Sequence, residues 1–342
     1  MELIVDLPEE IGLECLTRLH YSSHRVASQV CKRWKGVLES CEFYDERKRS
    51  GFTRKLACFV QSSPVLDVPV QLEGRKPLSS VPSFGISAFD LKDQSWQRLS
   101  PIPKYPSGIP FFSQLSSVQG KLIVMGGWNP VSWDPVSDVF IYDFTTQKWR
   151  QGKDMPSRRS LFASVAINGK IFISGGHDEN KNALKSAWSY DVKKDEWNEL
   201  TQMSEPRDEC EGVMIGNEFC VVSGYGTDEQ GKFQASAEFY NLETNQWRRV
   251  DGVWIEGKSP RGSVGVNNDG SFVCLAQVDS VVNHGVCGVD LGELTLLTGS
   301  AYQGATPGFY FLRVEGENRK LQKIEVQNEF CGFVQAGCCV EV

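Results

Sequence analysis

The chain has 342 residues, 40% of them hydrophobic and 23% charged, with a formal net charge of -7. That profile belongs to a soluble globular protein rather than a disordered or membrane one, and the acidic balance argues against a nucleic-acid partner. No stretch approaches the roughly 18 consecutive apolar residues of a membrane helix, and MELIVDLPEE lacks a basic segment followed by an apolar run, so the expected location is cytoplasmic, nuclear or both. Eleven cysteines, an odd number with no Cys-x-x-Cys pair, read as reduced and mostly buried thiols.

Residues 1–45 carry a helical period. Asp6-Leu7-Pro8-Glu9 reads as a helix start, with Asp6 as cap and Pro8 in the first turn, followed by Ile11, Cys15, Leu16 and Leu19 at helical spacing. After Ser22-Ser23, the residues Val26, Ala27, Val30, Cys31, Trp34 and Leu38 form one apolar face of a second helix, and Phe43-Tyr44 belong to a short third segment. The basic residues Lys32, Arg33, Lys35, Arg47, Lys48 and Arg49 are interspersed with Glu39, Glu42, Asp45 and Glu46, as on a solvated helix face. About forty residues of helix bury too little to stand alone, so this unit is expected to dock on the remainder of the chain, across a linker at 46–54.

From residue 55 the period changes to that of strands, and the sequence repeats. Phe89-Asp90, Tyr142-Asp143, Tyr190-Asp191 and Tyr240-Asn241 are followed by Trp96, Trp149, Trp197 and Trp247, each seven residues after its aromatic. GKLIVMGG (Gly120 to Gly127) recurs as GKIFISGG and as NEFCVVSG, offset by 49 and then 48 residues. Within a unit, SLFASVAI, a turn at Asn168-Gly169, KIFISGG, a polar loop, SAWSYDV and EWNEL predict four short strands. Gly-Gly allows positive φ and close passage to a neighbour, and the Tyr and Trp rings supply bulk between sheets. A four-stranded unit cannot bury both faces alone, so the units are expected to stack around an axis as propeller blades.

The first and last units depart from the pattern. LACFVQ (Leu56 to Gln61) opens a unit with no inner strand of its own, and GFVQAGCCVEV (Gly332 to Val342) is expected to pair beside it and close the ring. After Ser259 the second-strand starts at Gly270-Ser271-Phe272 and Gly292-Glu293-Leu294 lie only 22 residues apart, as if one blade had lost its outer half. FYFLRV (Phe309 to Val314) and LQKIEV (Leu321 to Val326) would be the outer strands of the last unit. The count is six blades with the fifth incomplete, five being the alternative.

The Gly-Gly, Tyr-Asp and Trp markers at this spacing resemble the kelch repeat, over residues 55–342. LIVDLPEEIGLECLTRL with VASQVCKRWKGVLES resembles an F-box, whose helices bind the Skp adaptor of cullin-RING ubiquitin ligases. That resemblance makes Leu7, Pro8, Ile11, Leu16, Val30, Cys31 and Trp34 the apolar residues shared between adaptor contact and the unit's own packing. The combination is similar to plant substrate receptors of the ubiquitin system. Loops of the type GGHDENKNALKSA and SGYGTDEQGKF resemble a subfamily whose members recruit phenylalanine ammonia-lyase, and in some cases cytokinin response regulators, for degradation. A scaffold that binds without degrading is the alternative, and a kelch-type enzyme the third.

Enzyme chemistry finds little support. A copper site of the galactose-oxidase kind needs converging histidines and tyrosines, but His20 and His24 lie in the helical segment and only His177 and His284 remain. His20 and His24, four apart, lack a third metal ligand, and no phosphate loop, dinucleotide fingerprint or nucleophile elbow is present, so no metal or cofactor is expected.

A protein partner is expected instead at the loops after each glycine pair (Trp128 to Asp138, His177 to Ser186, Tyr225 to Ser236) and at the blade connections MPSRR, MSEPRDE and SPRGS. The candidates are Trp128, Trp133, His177, Asp178 and Tyr225, with Arg159, Arg207 and Arg261, whose equivalent positions suit either partner contact or carbonyls between blades. Asp178, Glu179 and Asp228 make this face partly acidic, which fits a partner basic at the contact.

Overall fold

A computed structural model of the chain describes residues 3–63, 82–315 and 318–342. Four short helices come first: α1 (Glu9–Thr17), α2 (Tyr21–Ala27), α3 (Lys32–Leu38) and α4 (Cys41–Arg49). Asp6 is not the cap of α1. It sits at φ 65, while Pro8 holds the cap position in extended backbone without any side-chain cap. The expected second helix is two, because a turn at Ser28–Cys31 breaks it and Cys31 Sγ accepts the Trp34 N–H at 3.4 Å to start α3. Its apolar face divides accordingly: Ala27 and Leu38 turn inward to Leu16 and Phe43, while Val26 and Val30 point to solvent. The expected linker begins inside α4, whose buried Arg47 donates to the carbonyls of Thr17, Leu19 and Phe52 and so fixes where the chain leaves the helices.

The remainder is strand, in chain order β1 (Lys55–Ser62), β2 (Phe84–Asp90), β3 (Ser95–Arg98), β4 (Gln114–Val118), β5 (Lys121–Met125), β6 (Val139–Asp143), β7 (Lys148–Gln151), β8 (Ala163–Ile167), β9 (Lys170–Ser174), β10 (Ala187–Asp191), β11 (Glu196–Leu200), β12 (Glu211–Ile215), β13 (Glu218–Val222), β14 (Ala237–Asn241), β15 (Gln246–Val250), β16 (Val264–Val266), β17 (Phe272–Cys274), β18 (His284–Asp290), β19 (Thr295–Ser300), β20 (Gly308–Glu315), β21 (Asn318–Ile324) and β22 (Val334–Glu341). Among the described residues they form five four-stranded antiparallel sheets and one two-stranded sheet, β16-β17. The first sheet runs β22-β1-β2-β3, with Leu56 opposite Val340 and Ala57 opposite Cys339, so its inner strand comes from the other end of the chain. The inner strands β22, β4, β8, β12 and β16 stand side by side, and β18 lies against β22. At the seam beside the short sheet, the Gly288 N–H donates to the Gly262 carbonyl at 2.8 Å.

The seven-residue interval has a simple cause. Tyr142 and Trp149, Tyr190 and Trp197, Tyr240 and Trp247, and Phe89 and Trp96 are direct cross-strand partners flanking the outer hairpin. The acid or amide after each aromatic closes that hairpin: Asp143 Oδ1 accepts the N–H groups of Thr145 and Thr146, Asp191 those of Lys193 and Lys194, and Asn241 those of Glu243 and Thr244. Three of the four tryptophans then tie their sheets to the connection before them, since Trp149, Trp197 and Trp247 donate Nε1–H to the carbonyls of Ser100, Lys153 and Thr201. The glycine pair is equally constrained. Gly176 lies at φ +80, and a Cβ there would collide with the Ser160 carbonyl.

The helices sit on one end of this stack. Tyr21 enters the core between the first two sheets beside Phe144 and accepts from Gln97 Nε2 at 3.1 Å, Lys48 pairs with Glu341 at 2.8 Å, and Tyr44 lies against Gly120 in the β4-β5 turn. All these partners belong to the β-hairpin end of the sheets, so the glycine-pair loops and the blade connections emerge on the opposite face.

Candidate functional sites

The first surface is the outside of the helical unit. Pro8 and Cys31 are exposed, Ile11 is 45% and Val30 63% exposed, and Arg33 on α3 pairs with Glu9 on α1, which sets Val30 and Cys31 beside the start of α1. Leu7 and Trp34 are half-buried, with Trp34 Nε1–H donating to the Leu3 carbonyl at 2.6 Å. Leu16 is buried in the centre of the helices and belongs to packing alone. Val5 and Val26, both exposed, extend the apolar surface. Val26 stood on the expected apolar face of the second helix, whereas periodicity gave no signal for Val5.

The second surface is the loop face, where the candidates separate into interior and exterior groups. Arg159 and Arg207 are fully buried and cannot touch a partner. Arg159 donates to the carbonyls of Gly175 and Ser186, and Arg207 to those of Ser223 and Ser236 while pairing with buried Glu238 at 3.2 Å. Each therefore holds shut the loop of its own sheet, the carbonyl role, and burial pulls the Arg159 guanidinium down to about 10. Tyr225 is likewise interior, donating to Glu209 at 2.7 Å with its ring edge-on to Phe233.

A hydrogen-bonded chain links three neighbouring loops: Trp128 Nε1–H donates to His177 Nε2 at 3.1 Å, and His177 Nδ1 meets Asp208 at 2.8 Å. His177 is buried, and Trp128 is half-buried beneath the Lys181 ammonium. Asp178 spends its carboxylate within its own loop, accepting from the backbone of Asn180 and Asn182. The exposed anchor is Trp133, 54% exposed at φ 59, stacked on Phe111 and carried by a turn in which Asn129 accepts from the backbone of Val131, Ser132 and Trp133. Phe112, Val131 and Phe333 join it as exposed apolar residues that sequence reasoning missed. Phe112 sits at φ 57 with its N–H held by Gln335 Oε1 at 2.8 Å, and no repeat marker falls on any of the three.

Between the inner strands runs a channel of about 1100 Å³, with Arg261, Gln114 and Gln335 at the loop end and Asp269, Glu293 and Arg319 toward the hairpin end. Its cysteines are poor nucleophiles, since burial, aided by the Glu211 charge, pushes the Cys287 thiol up to about 12. Elsewhere, His20 comes within 4.8 Å of Asp90 and Asp93 in an arrangement that could hold a cation. Arg54 already lies 3.2 Å from Asp90 and 2.6 Å from Asp93, so the cluster acts as a strut between α2 and the β2-β3 hairpin. The geometry offers two binding surfaces facing opposite ways.

Residues 85–271 match the KLHDC2/KLHL20/DRC7 Kelch-repeats domain, and residues 4–46 match the F-box domain. The chain is similar to the Arabidopsis thaliana F-box/kelch-repeat protein At2g44130, 38% identical over 281 residues that cover 76% of this chain and 68% of the relative. It is also similar to F-box/kelch-repeat protein At1g15670 of the same plant, 33% identical over an alignment of 366 positions that spans all of both chains.

Proposed function

The chain belongs to the F-box/kelch-repeat family, and from that premise we propose that it is the substrate receptor of a Skp-cullin-F-box ubiquitin ligase. The observation that carries this is the opposition of the two surfaces: Ile11 and Val30 offer an apolar helical surface at one end, and Trp133, Phe112 and Phe333 a rigidly held aromatic surface at the other. An adaptor on the first leaves the second open to a target. The chain needs no chemistry of its own, since holding target lysines near the conjugating enzyme raises their effective concentration.

On this reading the target is phenylalanine ammonia-lyase, with cytokinin response regulators second, and binding would restrain phenylpropanoid synthesis; the resemblance of the Gly175 to Ala187 and Ser223 to Phe233 loops supports it. The six sheets count as six blades, the fifth reduced to β16-β17 and the ring closed through β22, which the pairing of β22 with β1 supports. The complex would work in the cytoplasm, the nucleus or both.

The test uses the full chain and two variants, co-purified with a Skp-type adaptor and with phenylalanine ammonia-lyase while the half-life of that enzyme is followed in cells. Ile11→Asp with Val30→Asp is expected to lose the adaptor and lengthen the half-life while keeping the target, and Trp133→Ala to do the reverse in binding. Adaptor loss without any change in target lifetime would leave a non-degrading scaffold.

A further inference from the structure

Arg159, Arg207 and Arg261 occupy equivalent positions, each three or four residues before the inner strand of its sheet. The first two fold into their own sheets because two carbonyls wait there, one at the end of the second strand and one at the start of the third. The sheet of Arg261 stops after its second strand: β17 runs into a 3-10 turn at Leu275–Gln277, and no third strand follows before β18. Arg261 therefore has no carbonyl pair to hold. It turns into the channel mouth on the loop face, where its guanidinium makes a 3.5 Å contact to the Cys210 carbonyl of the neighbouring sheet.

Among the described residues no carboxylate lies within 4.0 Å of that guanidinium. Glu211 lines the same mouth, and its two oxygens already accept the N–H groups of Gly262 and Gly212. A cation at the rim of a walled channel, short of an ion-pair partner, attracts an anion more strongly than one on open surface. Exposed apolar rings stand at the same mouth, since Phe333 packs against Gly285, two residues from Cys287 on the strand beside Gly262, and Gln335 of the channel wall holds Phe112.

We propose that loss of the outer half of this sheet turned a structural arginine into a recognition residue: Arg261 takes an Asp or Glu side chain of the protein partner, and Phe112 and Phe333 receive an adjacent aromatic or aliphatic side chain. This rests on the reading of the loop face as the target surface and gives its chemistry, an extended segment joining an acid to an apolar residue. It differs from the basic partner that Asp178, Glu179 and Asp228 alone would favour, because Asp178 is occupied within its own loop.

The test is selection of short random peptides on the full chain. Enriched sequences are expected to carry Asp or Glu next to Phe, Trp or Leu. A synthetic copy of the best one should lose about tenfold in affinity when its acid becomes the amide, or when the protein carries Arg261→Gln, and Arg261→Lys should recover part of it. The salt dependence of binding should vanish with Arg261→Gln and persist in Phe112→Ala. Absence of an acidic preference, or unchanged binding to Arg261→Gln, overturns the proposal. So does a fall in melting temperature for Arg261→Gln as large as that for Arg159→Gln, which would make Arg261 structural. None of these measurements involves the adaptor or ubiquitin, so a receptor that fails to shorten target lifetime leaves this result standing, and the reverse also holds.

Discussion

Arg207 shows how one side chain can look like a binding residue and serve as a bolt. Its guanidinium meets two loop carbonyls, the Ser236 hydroxyl and the Glu238 carboxylate, all inside the sheet. Removing it leaves Glu238, itself fully buried, as an uncompensated charge. Arg207→Ala is expected to cost about 3–5 kcal/mol of stability, read from the urea midpoint, and a loss below about 1 kcal/mol would refute the bolt. Trp133 is the opposite case. It is exposed and held at positive φ, a conformation unfavourable for so large a residue, and the Asn129 turn that enforces it leaves the ring displayed.

The helical unit has its own sensitivity to acid. His24 is buried edge-on to Phe43, its Nε2 without a hydrogen-bond partner, and burial followed by the Arg47 charge pushes its pKa down from 6.5 to about 4. The folded unit thus holds His24 neutral, whereas the unfolded chain takes up a proton near 6.5. The stability this provides is complete above the unfolded value and is lost as pH falls toward 4, by on the order of 3 kcal/mol. Comparison of the native chain with His24→Gln by helical circular dichroism in urea should show the steeper acid loss in the native chain. Parallel pH profiles would rule this out.

The two units are joined by Tyr21, whose ring lies in the core between the first two sheets, by His20, 3.4 Å from Asp93, and by the ion pair of Lys48 with Glu341. Tyr21→Ala should cost about 3–5 kcal/mol and split a single calorimetric transition into two; an unsplit transition would show that the remaining contacts suffice. The seven-residue Tyr-to-Trp interval, the glycine pairs and the spacing near fifty residues determined the sheets by themselves, because hairpin register and positive φ are local properties that a few residue types can meet. The same local logic announced the short sheet at 264–274. The sequence did not reveal which marked residues would face outward. Arg159, Arg207 and Arg261 share one position in the repeat, and only the presence or absence of a third strand decided that two are buried and one reaches the channel. Burial depends on what lies across the gap in space, and those neighbours come from distant parts of the chain, so the tertiary structure alone decides that Trp133 stands exposed and Tyr225 is packed inside.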